Sequence, residues 1–153
     1  DDDYAAFKKA LIEVAQVLAQ GIAADGEGAT KLLEVSLVGS PALTLARRAA
    51  RGVTMSPLIK TAVHGGDPNW GRVMGSVGAS GVSFSPKLDI YFEGVPILVN
   101  GKERLKNRSR LRQILKKKEY RMEINLKRGR FQERYWTTDL TKFYVWINST
   151  YST

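Results

Sequence analysis

Two carboxylates and a lysine share one glycine-rich turn, Asp25-Gly26-Glu27-Gly28-Ala29-Thr30-Lys31. Glycine removes steric cover, so the backbone here can approach a ligand while the Glu27 carboxylate points at a cationic group. The same residues also suit a plain helix C-cap, with Gly26 or Gly28 left-handed and the charges in solvent. Phosphate cradling fits poorly, because a phosphate-binding loop leads from a strand into a helix and this one runs the other way. A second dense stretch reads Ser56-Pro57-Leu58-Ile59-Lys60-Thr61-Ala62-Val63-His64-Gly65-Gly66-Asp67-Pro68-Asn69-Trp70-Gly71-Arg72. His64 is the only histidine and there is no cysteine, which excludes a histidine metal cluster, thiolate metal sites and disulfides; no cofactor is expected. Ser56, His64 and Asp67 have the residue types of a hydrolytic triad but lie too close along one chain to count as one. Asp67, Asn69 and Arg72 suit side-chain hydrogen bonds that tie down a buried turn.

The elements that must hold these residues follow from periodicity. Residues 3–24 predict an amphipathic helix, since Tyr4, Phe7, Leu11, Val14, Leu18 and Ile22 recur at three- and four-residue steps. The 25–28 turn ends it. Leu33, Val35 and Leu37 alternate with Leu32, Glu34 and Ser36, a strand with one clearly apolar face. Ser40-Pro41 predicts a helix with Ser40 as N-cap that continues over 42–53, and Ser56-Pro57 repeats the signal for a short segment to about residue 63. The six glycines between 65 and 81 point to close backbone packing, because Val73, Met74 and Val77 keep helical spacing. Strands are predicted at 87–92 and 95–99, joined at Glu93-Gly94, with a further turn at Asn100-Gly101. A basic helix follows over 104–118. Next come a hairpin of 120–126 with 131–136 around Arg128-Gly129, and a last helix capped by Asp139 in which Leu140, Phe143, Tyr144 and Ile147 share a face. This order lacks the strict strand–helix alternation of a doubly wound sheet. It argues for α+β layers, a sheet packed on helices, in one domain spanning 1–153.

Charge is unevenly placed. The net charge is +9, and residues 102–134 hold 14 Lys/Arg against four Asp/Glu. That segment supports a competing reading as a nucleic-acid-binding module, with Lys116-Lys117-Lys118 on phosphates and Tyr120, Phe131, Tyr135 and Trp136 stacking on bases. No recognised motif frames them, however. The run Lys127-Arg128-Gly129-Arg130-Phe131 lacks the aromatic pattern of an RNA-recognition strand, so a solvated basic face beside an acidic substrate or partner chain is preferred. No apolar run approaches the roughly 18 residues of a membrane span, and Asp1-Asp2-Asp3 carries no basic or apolar leader pattern. No membrane partner and a cytoplasmic setting are the expectation.

Three ordered blocks carry a resemblance. Ser56 to Ala62 followed by Gly66-Asp67-Pro68-Asn69-Trp70-Gly71-Arg72 resembles the signature of the β-chain of the ornithine acetyltransferases (glutamate N-acetyltransferases) of arginine biosynthesis. The 25–31 turn matches a second family block, and Thr137-Thr138-Asp139-Leu140-Thr141 with the ending Asn148-Ser149-Thr150-Tyr151-Ser152-Thr153 a third. Residues 102–118 match only in character. The resemblance implies a layered helix/sheet sandwich of the self-cleaving ornithine acetyltransferase type, with this chain the C-terminal part of the β-chain. Members cleave themselves into an α- and a β-chain, and an αβ pair that pairs again is implied. The new β-chain N-terminus is a threonine whose hydroxyl is the nucleophile, with its free α-amino group as general base. That threonine takes the acetyl group from N-acetylornithine and passes it to glutamate; some members also accept acetyl-CoA. The oxyanion-stabilising Thr-Gly pair lies in the α-chain. No residue here matches the nucleophile, so no catalytic residue is assigned. The resemblance implies substrate-binding roles for Glu27, which would meet the substrate's amino-acid end, and for Asn148 and Thr153.

Overall fold

The computed structural model describes residues 2–150. The elements are α1 (Asp2–Ala24), β1 (Leu32–Ser40), α2 (Leu43–Met55), α3 (Pro57–Gly65), α4 (Trp70–Ala79), β2 (Asp89–Phe92), β3 (Val95–Val99), β4 (Lys102–Glu103), a 3-10 turn (Leu105–Asn107), α5 (Arg108–Leu115), β5 (Glu119–Asn125), β6 (Phe131–Thr138) and α6 (Lys142–Thr150). The six strands form one mixed sheet in the order β4-β3-β2-β5-β1-β6.

Alternation along the strands builds the core. Leu33, Val35 and Leu37 of β1 stand opposite Tyr120, Met122 and Ile124 of β5, and all six are buried. Helix α2 lays Ala46, Ala49, Ala50 and Val53 on this face, the three- and four-residue spacing of a helical stripe, and its alanines permit close approach. Ile59 and Val63 of α3, Val73 and Val77 of α4, and Leu111, Ile114 and Leu115 of α5 join the cluster, as do Ile90 and Phe92 of β2 and Val95, Ile97 and Leu98 of β3. The alternate positions are polar along β5 and at Glu34 and Ser36 of β1, and Arg121 Nε lies 3.0 Å from Glu34 Oε1. The layered α+β architecture is the one expected.

Local signals worked where they were self-contained. Ser56 caps α3, its hydroxyl accepting from Ile59 N at 3.4 Å, with Pro57 in the first turn and Gly66 left-handed at the end. Glu93 and Gly94 both have positive φ, as a two-residue turn between twisted strands requires. Four expectations need correction. Helix α2 begins at Leu43, not at Pro41: Ser40 is the buried last residue of β1, paired with Phe131, and its hydroxyl donates to Ala42 O at 2.9 Å rather than capping. The basic helix of 104–118 is only Arg108–Leu115, preceded by the 3-10 turn. Strands β5 and β6 are not a hairpin. β1 lies between them, parallel to β5 and antiparallel to β6, and the 126–130 connection crosses the end of β1, where Leu126 N donates to Val38 O and Arg128 N to Gly39 O. The cap of α6 is the fourth and belongs to the site.

Helix α1 has the expected amphipathic stripe but buries none of its described residues. Phe7 is 67% exposed and Ile22 78%. It touches the rest of the chain along β6 and through Gln20, which donates to Glu119 at 2.7 Å.

Candidate functional site

Asp139, just past the end of β6, is the hub that joins the three matched blocks. Its carboxylate has no exposed area and accepts four hydrogen bonds. Oδ1 takes Thr30 N at 2.8 Å and Lys31 N at 3.0 Å, while Oδ2 takes Thr30 Oγ1 at 2.6 Å and pairs with His64 Nδ1 at 2.8 Å. Burial alone would raise this carboxyl's pKa. The donors from Thr30, His64 and Lys31 outweigh burial and hold it below the ordinary value, so the group is ionised. An ionised carboxylate only accepts, so the ring hydrogen sits on His64 Nδ1. Asp139 is therefore not the cap of α6. That role falls to Thr141, whose hydroxyl accepts Tyr144 N at 3.0 Å and donates to Gly28 O at 2.7 Å.

This second bond docks α6 on the 25–31 turn. Gly28 has φ +66°, and a Cβ placed there would lie 2.9 Å from Tyr144 N and 3.2 Å from Phe143 Cδ1. The turn is thus glycine for two reasons, conformation and close approach. Gly28→Ala is expected to push α6 off the turn at a cost of about 1–2 kcal/mol. Amide exchange across residues 144–148 should accelerate about tenfold; unchanged exchange would contradict this account of the docking.

Docking brings together two of the three expected binding residues. Asn148 Nδ2 donates to Glu27 Oε2 at 3.0 Å and to Tyr144 O at 2.9 Å, although Glu27 and Asn148 are 121 residues apart. Both are exposed, and among the described residues Glu27 Oε1 accepts no hydrogen bond. Thr153 lies outside the described residues. Lys31 is occupied differently: its ammonium donates to Val63 O, His64 O and Leu115 O at 2.9, 3.3 and 2.9 Å, closing the C-terminal ends of α3 and α5.

Asp67, Asn69 and Arg72 tie down their turn by side-chain hydrogen bonds as expected, but the turn is exposed to half-buried rather than buried. Asn69 Oδ1 accepts Arg72 N at 3.0 Å, Asn69 Nδ2 donates to Asp67 at 3.0 Å, and Arg72 reaches Leu58 O at 3.0 Å. Ser56 and Asp67 take no part with His64, whose partner Asp139 is 75 residues downstream. The sequence reading missed this pair; the one signal for it was that Asp139 sits inside a matched block. Among the described residues, no group of three or more His, Asp or Glu could hold a metal ion. The arrangement offers a carboxylate with one oxygen held and the other open, on a glycine turn braced by a buried ion. It can receive a cationic ligand group.

Comparison with known proteins agrees with this geometry. The profile of the ArgJ family matches residues 1–153. The chain is 40% identical over 151 residues to the arginine biosynthesis bifunctional protein ArgJ of Chlorobaculum tepidum, covering 98% of this chain and 37% of that protein. It is 38% identical over 159 residues to the glutamate N-acetyltransferase of Methanocaldococcus jannaschii, covering 96% and 39%. The crystal structure of the arginine biosynthesis bifunctional protein ArgJ from Bacillus halodurans superposes with a TM-score of 0.94 at 35% identity, over 99% of this chain and 72% of that one. The chain thus spans well under half the length of the two full-length relatives. With the matched blocks meeting at Asp139 and the fold shared along almost its whole length, the chain belongs to the ArgJ family.

Proposed function

We propose that this chain supplies substrate recognition to an acetyltransferase that moves the acetyl group of N-acetylornithine to glutamate. The observation that carries the reading is the Glu27–Asn148 contact, made across 121 residues and held by the fit of α6 on Gly28. Glu27 accepts charge-assisted hydrogen bonds from the side-chain ammonium of N-acetylornithine, whose α-nitrogen is acetylated and uncharged, and Asn148 fixes the carboxylate in advance, so less freedom is lost on binding. Thr153, outside the described residues, is the third substrate-binding residue in this reading. The nucleophile is a threonine outside this chain. Its hydroxyl attacks the acetyl carbonyl and forms an ester as ornithine leaves; the glutamate amine then attacks the ester, giving N-acetylglutamate and restoring the hydroxyl.

The chain forms one domain that packs on an α-chain from the same precursor, and two such pairs associate. The exposed apolar stripe of α1 and the exposed Phe143, Tyr144, Val145 and Trp146 of α6 support a covering partner, since large apolar side chains clustered on a helix gain by leaving water. No helix among the described residues is long and apolar enough to cross a membrane, and the setting proposed is the cytoplasm.

The test is to express the full-length protein and follow N-acetylglutamate formation from N-acetylornithine plus glutamate, with acetyl-CoA as donor in a parallel reaction. Transfer from N-acetylornithine is the expected result. A folded, processed protein that transfers from neither donor would overturn the reading.

A further inference from the structure

A cleft of about 580 Å³ opens between α5 and the turn joining α3 to α4, away from the Glu27–Asn148 contact. That volume suits a small-molecule ligand. Arg108 and Arg112 stand on its α5 wall, four residues apart and so on one helical face. Both are exposed, and neither is in an ion pair among the described residues. Arg108 is the first residue of α5, which has no acidic residue in its first turn. A cation there opposes the helix dipole, a local cost that stability does not explain.

Trp70, the first residue of the ten-residue helix α4 and 36% exposed, also lines the cleft, together with Gly65 and Gly66. Two carboxylates also line the cleft, Asp67, which accepts from Asn69 Nδ2, and Glu103. A bare anion would gain from the arginines and lose to these acids. A ligand matching all the groups carries phosphate at one end and an aromatic ring bearing an amino donor at the other.

We infer that the cleft between α5 and the 65–71 turn binds a purine nucleotide, its phosphates on Arg108 and Arg112, its base on Trp70. The guanidinium fork suits phosphate oxygens, the indole face suits a base, and the exocyclic amine meets a rim carboxylate. One nucleotide fills this volume, whereas a polymer would need a groove that continues. The inference does not rest on the acetyl-transfer reading, because neither Glu27 nor Asn148 lines the cleft.

The experiment is isothermal titration of the full-length protein with ADP, adenosine, inorganic phosphate and a single-stranded RNA oligomer at about 150 mM salt. The variants are Arg108→Ala/Arg112→Ala and Trp70→Leu, with circular dichroism to confirm their folding. ADP should bind saturably, about tenfold or more tighter than adenosine or phosphate alone, and each variant should weaken it by about tenfold or more. Three results would overturn the inference: no ADP binding at millimolar concentration, folded variants that bind ADP as well as the parent, or binding of the RNA oligomer alone.

Discussion

Replacing Asp139 by Asn is expected to lower the unfolding free energy by about 3 kcal/mol at pH 7, the largest stability loss for a single polar change near the site. The carboxylate accepts from Thr30 N, Thr30 Oγ1 and Lys31 N and pairs with His64 Nδ1, with no exposed area of its own. Asparagine keeps the shape and an oxygen for Thr30 N and Lys31 N, but its amide nitrogen donates where Thr30 Oγ1 and His64 Nδ1 now donate, so the hydroxyl must rotate and the imidazole must change tautomer to accept. The rearrangement disturbs the His64 and Thr30 contacts, and the charge that strengthened all four hydrogen bonds is gone. Because the carboxylate ties the 25–31 turn to α3 and to the end of β6, the loss should also loosen the turn that carries Glu27. Denaturant unfolding of parent and variant measures it; equal midpoints and slopes would contradict the hub role.

The same pair gives a pH signature. Burial pushes the Asp139 carboxyl up, but its donors prevail and its pKa is lower folded than the ordinary 3.8. A depressed folded value means the stabilisation is complete above the unfolded value and disappears as pH falls through the folded one. The stability difference between parent and Asp139→Asn should therefore be constant from about pH 7 to pH 5 and shrink below about pH 4. A difference that grew on acidification would reverse the sign and the account with it.

How much of this was legible in the sequence depends on the range of the contacts. Ser56-Pro57 announced α3 correctly because cap, proline and helix lie within four residues. Glu93-Gly94 announced its hairpin for the same reason. The supposed β5–β6 hairpin failed because the strand between them comes from much earlier in the chain, and no local propensity records that insertion. Ser40-Pro41 carried a genuine start signal that sheet pairing to Phe131 displaced. At the site, the binding roles of Glu27 and Asn148 came from resemblance, and the structure brings the two side chains to 3.0 Å. The Asp139 hub could not be read from residue types, since its partners Thr30 and His64 lie 109 and 75 residues away. A capping aspartate and a buried bridging aspartate look identical in one dimension.

The largest kinetic effect is expected at Glu27, the residue proposed to recognise substrate. Glu27 is exposed and lends one oxygen to Asn148, so Glu27→Gln preserves size and an acceptor for that contact. Unfolding free energy should move by less than about 0.5 kcal/mol, as for an ordinary surface change. What glutamine cannot supply is the negative charge. A hydrogen bond to a charged group contributes about 1.5–3 kcal/mol, so losing it should cost roughly 10- to 100-fold in kcat/KM. The decisive measurement is kcat/KM for N-acetylornithine in the full-length, assembled Glu27→Gln enzyme beside its parent. A fall of that size with unaltered folding is the result predicted here, and an unchanged kcat/KM would contradict the assignment of Glu27 to substrate recognition.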